Sequence, residues 1–334
     1  MHAIEMSDIG APDVLQLRDD IPEPQIERAT QVKLKLLAAG VNPIDTKVRS
    51  RGLFYGATPP AILGCDGAGE VIEAGSQVDR FTVGDAVWFC HGGLGREPGN
   101  YARYTVLDQD DAELKPRSLD FSQAAAGPLV LITAWEAMFD QAGLQAGETI
   151  LVHAGAGGVG HVAIQLAKTR GARVIATVGN EDNAAFVREL GADDAINYRE
   201  EDLADAVMAL TADKGVDVCL DTVGPLAFRN SIPAMKPYGR LVTLLDPGND
   251  LDLSQARTMN LRIAFTLMLT PMLLDLHEPR LHHGDILREC AALIDDGKLH
   301  LHVSREYPLA EAAQAHRDIE QGHTRGKRVL LPWS

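Results

Sequence analysis

The first part of the chain carries short segments in which apolar and polar residues alternate. In "QVKLKLLAAGV" (31–41), Val32, Leu34 and Leu36 fall on one face, as the two-residue period of a strand requires. Shorter β-type runs, "GEVIEAG", "DAVWFC" and "NYARYTVL", are bounded by turn-forming residues. Long helical patterns are few in the first 120 residues or so. The pattern therefore predicts a small, irregular β-rich region.

From about Ser122 to Asn260 the pattern changes to strands that alternate with helices. "TILVHA" (149–154) and "ARVIATV" (172–178) are typical of strands, and the segment between them has the apolar stripe of a helix. The alternation continues through the strand-like runs "DAINY", "GVDVCLDTVG" and "GRLVTLLD". Near-continuous apolar strands separated by helices favour a parallel sheet covered on both faces. We therefore predict an α/β, doubly wound domain.

The C-terminal tail combines a strand-like run, two helices and a closing strand. These are "LRIAFTLML" (261–269), "GDILRECAALIDDG" (284–297), "LAEAAQAHRDIEQG" (309–322) and "GKRVLLPW" (326–333). The tail is too short to form an α/β domain of its own, so we expect it to complete one of the other two regions.

Composition and charge exclude several classes of protein. The 334 residues are 46% apolar, and the formal net charge of −16 is accompanied by no Lys/Arg run that would attract nucleic acid. The most apolar window, "AAAGPLVLITAWEAMFDQAG", is interrupted by Pro128, Glu136 and Asp140, so no membrane span is expected. The N-terminus shows no basic leader, and we expect a cytoplasmic protein without nucleic-acid or membrane partners.

The four cysteines are widely spaced. Cys65, Cys90, Cys219 and Cys290 form no C-x-x-C pair, so neither a disulfide framework nor a thiolate-rich structural zinc site is predicted. Cys65 stands beside Asp66 in a glycine-rich segment. If Cys65 binds a metal, its partner ligands must come from elsewhere in the chain.

A glycine-rich turn predicts a dinucleotide site. Gly155, Gly157 and Gly160 in "HAGAGGVGH" have the G-x-G-x-x-G spacing, directly after a strand and at the start of a helix. In such a turn the cofactor's pyrophosphate lies at the helix N-terminus, against the backbone of Gly158 and Val159. The alternative is a tight strand-to-helix turn that binds no ligand.

The end of the second strand bears on which dinucleotide binds. The residues there are small and uncharged: Thr177, Val178, Gly179 and Asn180. An acid at this place would bind the ribose 2′-hydroxyl and repel a 2′-phosphate, so its absence favours NADP(H). If the register is shifted, Glu181 or Asp182 would restore NAD.

The third strand offers two further contacts for the cofactor. Tyr198 and Arg199 in "INYRE" have the chemistry of a stacking face and of a cation for the 2′-phosphate. The alternative is a solvated loop after a strand.

The motifs together resemble the zinc-free quinone oxidoreductases, the zeta-crystallin-like branch of the medium-chain dehydrogenase/reductase superfamily. The motifs that carry the resemblance include "AAGVNPIDTKVRS", "GCDGAGEVIEAG", "VHAGAGGVGHVAIQLAK", "ELGADDAINYREED" and "GKRVLL". The resemblance implies a GroES-like catalytic domain (1–121 and 271–334) with an inserted Rossmann domain (122–270). It also implies a homodimer paired through the strand around 261–267.

The resemblance also bears on the metal. Zinc alcohol dehydrogenases of the superfamily carry a cysteine at the position of Asp45, a histidine at that of Cys65, and a separate cysteine cluster. Here those residue types are absent, and "AGPLVLITAW" offers no third ligand. Without a Lewis acid to stabilise an alkoxide, the hydride acceptor must already be electron-poor. We therefore predict NADPH-dependent reduction of quinones or of activated alkenes (enones and enals), with no metal.

Three residues are candidates for the catalytic site by this resemblance. Asn42 would donate a hydrogen bond to the substrate carbonyl, or else only form a turn before Pro43. Asp45 would position a neighbour or bind the ribose, or else act as a helix N-cap. Lys47 stands where many relatives have a tyrosine, so Tyr55 is a substitute proton donor, or else a loop aromatic packed on its own domain.

The remaining predicted cofactor contacts lie at the ends of elements. Thr133 would line the nicotinamide pocket, or else only pack within a helix. The ends of two parallel strands would supply Thr222, Val223, Leu245 and Asp246. We interpret His91 and His153 as structural.

Two other functions stay open at this point. One is an NAD(P)-dependent alcohol dehydrogenase with a zinc site that the sequence does not reveal. The other is a non-catalytic NADPH-binding protein. The sequence does not specify the substrate, and we expect the loops 51–60, 91–98 and 266–283 to determine it.

Overall fold

The computed structural model describes residues 1–322 and 324–334. The chain forms two compact units. The β-rich unit comprises Met1–Leu129, Leu269–Gly297 and Leu301–Ser334, and the parallel-sheet unit comprises Val130–Met268 and Lys298–His300.

The strands of the described chain are numbered in chain order. They are β1 (Ala3–Met6), β2 (Leu15–Arg18), β3 (Gln31–Val41), β4 (Ala61–Ile62), β5 (Asp66–Ala74), β6 (Ala86–Cys90), β7 (Tyr104–Asp108), β8 (Glu113–Leu114), β9 (Thr149–Val152), β10 (Arg173–Val178), β11 (Asp194–Asn197), β12 (Val216–Asp221), β13 (Met235–Thr243), β14 (Arg262–Phe265), β15 (Val303–Pro308) and β16 (Lys327–Leu331).

The α-helices are numbered in the same way. They are α1 (Pro43–Arg51), α2 (Phe121–Ala125), α3 (Pro128–Trp135), α4 (Gly158–Thr169), α5 (Glu181–Glu189), α6 (Leu203–Leu210), α7 (Pro225–Ser231), α8 (Ser254–Thr258), α9 (Thr270–Leu274), α10 (His277–Asp295) and α11 (Ala312–Glu320). A π-helical segment, Glu136–Gln141, follows α3.

The β-rich unit is built on a sheet with the order β15-β16-β3-β5-β6-β8, in which β7 also pairs with β3, and on a smaller sheet β2-β1-β4. The alternation predicted for the first long strand is confirmed, because Val32, Leu34 and Leu36 are buried together in one apolar cluster. Removing such side chains from water is the main stabilising contribution to a core of this kind. The β-rich unit is thus held by the alternating face of β3.

The C-terminal tail belongs to the β-rich unit. β16 pairs antiparallel with β3, with Arg328 opposite Val41, and β15 pairs parallel with β16. The helix predicted from Gly284 begins earlier, at His277. The early start includes Pro279, which is compatible with the first turn of a helix because no intrahelical hydrogen bond is lost there.

The short helix α2 also packs in the β-rich unit, against β3 and β5. The sequence prediction began the second domain at Ser122, whereas the compact units divide after Leu129. The difference arises because Ser122, Ala124 and Ala125 are buried in a segment too short to show a helical period.

The parallel-sheet unit has the strand order β11-β10-β9-β12-β13-β14, with every pairing parallel. The α/β, doubly wound prediction is therefore confirmed. The chain runs outward from β9 to β11 and then returns to β12 beside β9, so the strand order reverses between β9 and β12. Ligands of such sheets bind beyond the carboxyl ends of the strands at this reversal. No helix in the described residues is long and apolar enough to cross a membrane.

Candidate cofactor and active site

The glycine-rich turn lies at the reversal point, between β9 and α4. An added Cβ on Gly160 would lie 2.3 Å from the Ala154 carbonyl oxygen and 2.8 Å from the Gly155 Cα. Gly157 precedes α4 and provides no side-chain cap, so the first N–H groups of this helix, from Gly158 onward, have no intrahelical acceptor. Such N–H groups and the helix dipole can receive an anion such as a pyrophosphate.

The start of the glycine-rich turn is supported by Thr177 from β10. Ala154 donates its N–H to Thr177 Oγ1 (3.1 Å), and Gly155 donates its N–H to the Thr177 carbonyl oxygen (2.9 Å). Thr177 is only 2% exposed. Its side chain therefore supports the backbone of the turn from the buried side.

Tyr198 and Arg199 lie beside Gly179 at the end of β10. An added Cβ on Gly179 would lie 2.9 Å from Tyr198 Oη and 3.4 Å from Arg199 Nε. Tyr198 is 55% exposed, and the Arg199 guanidinium carbon lies 5.9 Å from its ring centroid. An aromatic face and a cation are thus adjacent to the glycine that follows the strand.

The two acidic residues that follow β10, Glu181 and Asp182, lie in the first turn of α5. Asn180 Oδ1 accepts the Asn183 N–H at 2.9 Å and caps this helix. Glu181 follows in the first turn, and its carboxylate accepts a hydrogen bond from Arg188 Nη1 at 3.1 Å. The residue directly after the strand is therefore Gly179, and the nearest acid is paired with a cation of its own helix.

The ends of β12 and β13 are held together by a buried carboxylate. Asp221 Oδ1 accepts the N–H groups of Val223 and Gly224, both at 2.9 Å, and Asp221 Oδ2 accepts the Thr243 hydroxyl at 2.8 Å. Val223 is 49% exposed. Thr222 donates its hydroxyl to the His153 carbonyl oxygen at 2.8 Å. Two of the predicted cofactor residues thus lie at the carboxyl edge of the sheet.

The other predicted cofactor residues of this unit differ in exposure. Leu245 is half-buried and Asp246 is exposed, and Asp246 Oδ1 accepts the Gly248 N–H at 2.9 Å within a local turn. Thr133 lies in α3 and is 6% exposed.

Asn42 lies at the start of α1 in the β-rich unit and is fully buried. Its Nδ2 donates to Asp66 Oδ2 at 2.9 Å, and its Oδ1 accepts a hydrogen bond from Lys327 Nζ. Its backbone N–H donates to Asp45 Oδ2 at 2.8 Å. The amide is therefore oriented by a buried acid and a buried cation.

Asp45 is held by the helix start and by a buried tyrosine. Besides the Asn42 N–H, Asp45 Oδ2 accepts the Tyr101 hydroxyl at 2.9 Å, and Tyr101 Oη lies 3.2 Å from His316 Nε2. Burial raises the pKa of Asp45 to about 6. Within residues 1–322 and 324–334, Asp45 Oδ1 is buried with no hydrogen-bond partner. The N-cap of α1 is therefore Asn42, and Asp45 is the third helical residue, whose carboxylate accepts the N-cap N–H in a capping box.

Tyr55 is a partly exposed aromatic of the β-rich unit, 40% accessible to solvent. Its hydroxyl donates to the Met272 carbonyl oxygen at 2.7 Å, and the Arg96 guanidinium carbon lies 4.4 Å from its ring centroid. The Tyr55 hydroxyl proton is therefore bound to a carbonyl oxygen of α9.

A cavity of about 430 Å³ lies in the β-rich unit beside Tyr55 and Met272, and His91 is among the residues that line it. His91 Nε2 is 2.8 Å from Glu97 Oε2, and His91 Nδ1 is 3.2 Å from Asp111 Oδ2. Burial lowers the pKa of His91 and the Arg280 guanidinium lowers it further, but the two carboxylates outweigh both and raise the pKa to about 9.

The stability of the β-rich unit is therefore expected to fall between about pH 6.5 and pH 9. The folded-state pKa of His91 lies above the ordinary value of 6.5, so its stabilising contribution is complete below pH 6.5 and is lost as the pH rises through 9. Urea unfolding at pH 6.5, 7.5 and 9.0 measures this, with His91→Gln as the comparison. The free energy of unfolding should decrease more steeply in the wild type, and parallel curves would contradict the assignment.

Comparison with known proteins places the chain in a family. The family model described as "Alcohol dehydrogenase GroES-like domain" matches residues 28–117, and the one described as "Zinc-binding dehydrogenase" matches residues 190–330. A quinone oxidoreductase of Pseudomonas aeruginosa is 35% identical over 333 residues, which cover 98% of this chain and 99% of the relative. The chain belongs to the quinone oxidoreductase branch of the medium-chain dehydrogenase/reductase superfamily.

Solved structures agree with membership of the quinone oxidoreductase branch. The Escherichia coli quinone oxidoreductase complexed with NADPH superimposes with a TM-score of 0.87 at 30% identity, over 99% of this chain and 100% of that chain. A structure described as an NAD-dependent alcohol dehydrogenase has a TM-score of 0.89 at 32% identity, over 99% of both chains.

One of the matching family models is described as a zinc-binding dehydrogenase. We therefore examined whether Cys65 and Asp45 could be ligands of a zinc ion. Burial raises the pKa of the Cys65 thiol well above its usual range, and the neighbouring Asp45 carboxylate raises it further. In the described part of the chain, no group of three or more His, Cys, Asp or Glu side chains could hold a metal ion. Zinc sites use three or four such ligands, so Cys65 and Asp45 do not form a zinc site with the other described residues.

Sequence reasoning missed the partners that orient Asn42 and Asp45. Lys327 and Asp66 bind the Asn42 amide, and Tyr101 binds Asp45. The only sequence signal was their presence in segments that resemble the quinone oxidoreductase branch, such as "GKRVLL" and "GCDGAGEVIEAG".

Proposed function

We propose that this protein is a zinc-independent, NADPH-dependent oxidoreductase that reduces quinones or C=C bonds conjugated to a carbonyl. The preference for NADPH rests on the uncharged end of β10, where Tyr198 and Arg199 lie beside Gly179. The E. coli relative was solved with NADPH, and the P. aeruginosa relative is named a quinone oxidoreductase. Both support the proposal.

The residues of the parallel-sheet unit would bind the cofactor. N–H groups from Gly158 to Gly160 would receive the pyrophosphate, and Arg199 would pair with the 2′-phosphate while Tyr198 offers a stacking face. Thr222, Val223, Leu245 and Asp246 would border the bound nucleotide, and Thr133 would line the nicotinamide pocket. When bound, NADPH supplies the hydride.

The proposed hydride acceptor follows from the possible metal ligands Cys65 and Asp45. Residues 1–322 and 324–334 supply these two groups with no third zinc ligand, and without a Lewis acid an unactivated alcohol is a poor reactant. A quinone or an enone needs one hydride and one proton, and hydrogen bonds to its oxygen suffice to stabilise the developing charge. Asn42 remains the proposed hydrogen-bond donor, with Asp45 positioning it. Tyr55 remains the proposed proton donor, and it would exchange its hydrogen bond to the Met272 carbonyl for one to the substrate.

The test is to follow the absorbance of the nicotinamide with NADPH and with NADH, against quinones, enones and enals, and to assay simple alcohols with NADP⁺. We expect NADPH to be consumed with a quinone or an activated alkene. Turnover of unactivated alcohols alone, lost on chelation of a bound metal, would overturn the proposal. Tight NADPH binding without turnover of any acceptor would favour a non-catalytic role.

The same assay tests the residues assigned to the 2′-phosphate. Arg199→Ala should raise the KM for NADPH by roughly tenfold, because a hydrogen bond to a charged group is lost, and should leave the KM for NADH unchanged. Arg173→Ala is the matched control, since Arg173 lies at the opposite end of β10 and pairs with Asp194 at 2.8 Å. Equal effects of both variants would contradict the assignment.

We also propose a homodimer that forms along β14. This strand ends the parallel sheet, and Phe265 and Leu267 at and just beyond its end are 61% and 52% exposed. An edge strand with apolar side chains favours pairing with a second copy. Light scattering at micromolar concentration tests this, and a monomer would contradict it.

A further inference from the structure

We propose that His153 is a positioning residue for the cofactor: through Thr177 it holds the backbone of the glycine-rich turn in the conformation that receives the pyrophosphate. The inference rests on the proposed NADPH binding. His153 directly precedes the turn, and at 4% exposure it is buried. Thr177 is 2% exposed, so neither side chain is placed to contact the cofactor itself.

The Ser231 side of His153 determines which ring nitrogen carries the proton. The Ser231 hydroxyl lies 2.7 Å from the Ala227 carbonyl oxygen, four residues earlier in α7, and donates its single proton there. Ser231 Oγ also lies 2.7 Å from His153 Nε2, where it can then only accept. The proton of the imidazole is therefore on Nε2.

With the proton on Nε2, the other ring nitrogen of His153, Nδ1, can accept a hydrogen bond from Thr177. Burial lowers the pKa of His153 to about 4, so the ring is neutral near pH 7 and Nδ1 is an acceptor. Thr177 Oγ1 lies 3.2 Å from Nδ1 and donates its proton to it. A lone pair of Oγ1 then faces the Ala154 N–H at 3.1 Å.

These bonds form one directional chain from the turn to α7. Ala154 N–H donates to Thr177, Thr177 donates to His153 Nδ1, His153 Nε2–H donates to Ser231, and Ser231 donates to the Ala227 carbonyl. Each hydroxyl proton is used once. The Ala227 carbonyl can only accept, and with the Ser231 proton placed on it the two imidazole bonds run in one direction, so the Thr177 hydroxyl donates to His153 Nδ1.

Ala154 needs this support because its backbone is strained. Its φ is 47°, a left-handed conformation that is unfavourable for a residue with a Cβ. The Ala154 carbonyl oxygen accepts the Gly157 N–H at 2.8 Å and would lie 2.3 Å from a Cβ on Gly160. The position of Ala154 therefore determines where the N–H groups at the start of α4 lie.

The test uses two substitutions that each keep one half of the imidazole's hydrogen bonding. His153→Asn can retain the acceptor toward Thr177, whereas His153→Gln can retain the donor toward Ser231. We expect NADPH affinity to stay near the wild-type value in His153→Asn and to fall about tenfold in His153→Gln and His153→Leu, as one supporting hydrogen bond is lost. Nucleotide fluorescence measures the dissociation constant, and kcat at saturating NADPH should change little.

Thr177→Val provides a test that does not alter the histidine. The variant keeps the side-chain shape and removes the hydroxyl, so it should weaken NADPH binding as much as His153→Leu does. The double variant should be no weaker than either one, because both break the same chain. Thr211→Val is the matched control: it removes a buried hydroxyl outside this chain, one that accepts the Gly215 N–H at 3.0 Å, so it should lower thermal stability while the NADPH dissociation constant stays near the wild-type value.

Hydrogen–deuterium exchange of the turn, without nucleotide, gives a readout independent of activity. The Ala154 amide should exchange faster in His153→Leu and Thr177→Val than in the wild type. If both variants bind NADPH as the wild type does, or if affinity only follows thermal stability across the set, the positioning role is overturned. If the wild type itself binds no NADPH, the proposed function fails first and this role fails with it.

Discussion

Lys327→Met is expected to lower the free energy of unfolding by about 3–5 kcal/mol, the range observed when one partner of a buried ion pair is removed. Lys327 is 3% exposed and Asp66 is fully buried, with Nζ 3.5 Å from Asp66 Oδ2. The substitution leaves the Asp66 carboxylate with only the hydrogen bonds from Asn42 and from the Leu129 N–H. Urea unfolding of the full chain measures the loss.

Two comparisons separate burial from charge in the Lys327 experiment. Lys236→Met removes the same charge from an exposed pair with Asp217, whose atoms are closer at 2.8 Å, yet should cost less than about 1 kcal/mol. Adding Asp66→Asn to Lys327→Met should recover part of the loss, because no buried charge remains. Equal losses for Lys327→Met and Lys236→Met would contradict this explanation.

The Lys327 effect should also depend on pH in a defined direction. Burial raises the pKa of Asp66 even with Lys327 present, and loss of the cation raises it further. An acid whose folded pKa is raised favours the folded state at low pH. The free energy of unfolding of Lys327→Met should therefore approach the wild-type value as the pH falls. A difference between the two that grows at lower pH would contradict this explanation.

Gly160→Ala is expected to reduce kcat/KM for NADPH by about a hundredfold, the scale of loss that a displacement near 1 Å can cause. The new methyl group would lie 2.3 Å from the Ala154 carbonyl oxygen, so the turn or the start of α4 must move. Steady-state kinetics and the NADPH dissociation constant measure the effect.

Gly157→Ala is the graded comparison for Gly160→Ala. Its Cβ would approach the same carbonyl oxygen only to 3.1 Å, a contact that a small shift relieves. We expect smaller losses of NADPH affinity and of thermal stability than in Gly160→Ala, because less of the backbone has to move. A reversed order of the two variants would show that the close approach at Gly160 does not determine cofactor binding.

Local sequence patterns were sufficient for the parallel-sheet unit. Its strands are short apolar runs, and its helices have one apolar stripe, so their periods identify them. The glycine-rich turn could be recognised because the strand before it and the helix after it are both clear. Thr177 was recognised as part of the cofactor region, but its position beneath the turn depends on contacts with residues of the preceding strand-to-helix segment.

The hydrogen-bond networks could not be predicted from the sequence. Asn42 and Lys327 are separated by 285 positions, and His153 and Ser231 by 78. Periodicity indicates which side chains are buried, but it does not indicate which buried polar groups meet. For the same reason a single histidine after a strand could only be interpreted as structural, and the direction of its hydrogen bonds required the position of Ser231.

The pairing of β16 with β3 has a consequence for how the chain folds during synthesis. Lys327 leaves the ribosome 285 residues after Asn42, which at usual elongation rates is a delay of roughly 15 to 60 s. Until then Asp66 lacks its ion-pair partner Lys327, and the end of β3 from Ala39 to Val41 lacks the strand that pairs with it. The parallel-sheet unit, by contrast, is almost continuous in sequence. Its sheet can therefore be complete on the ribosome before β16, the last strand of the β-rich unit, has been synthesised.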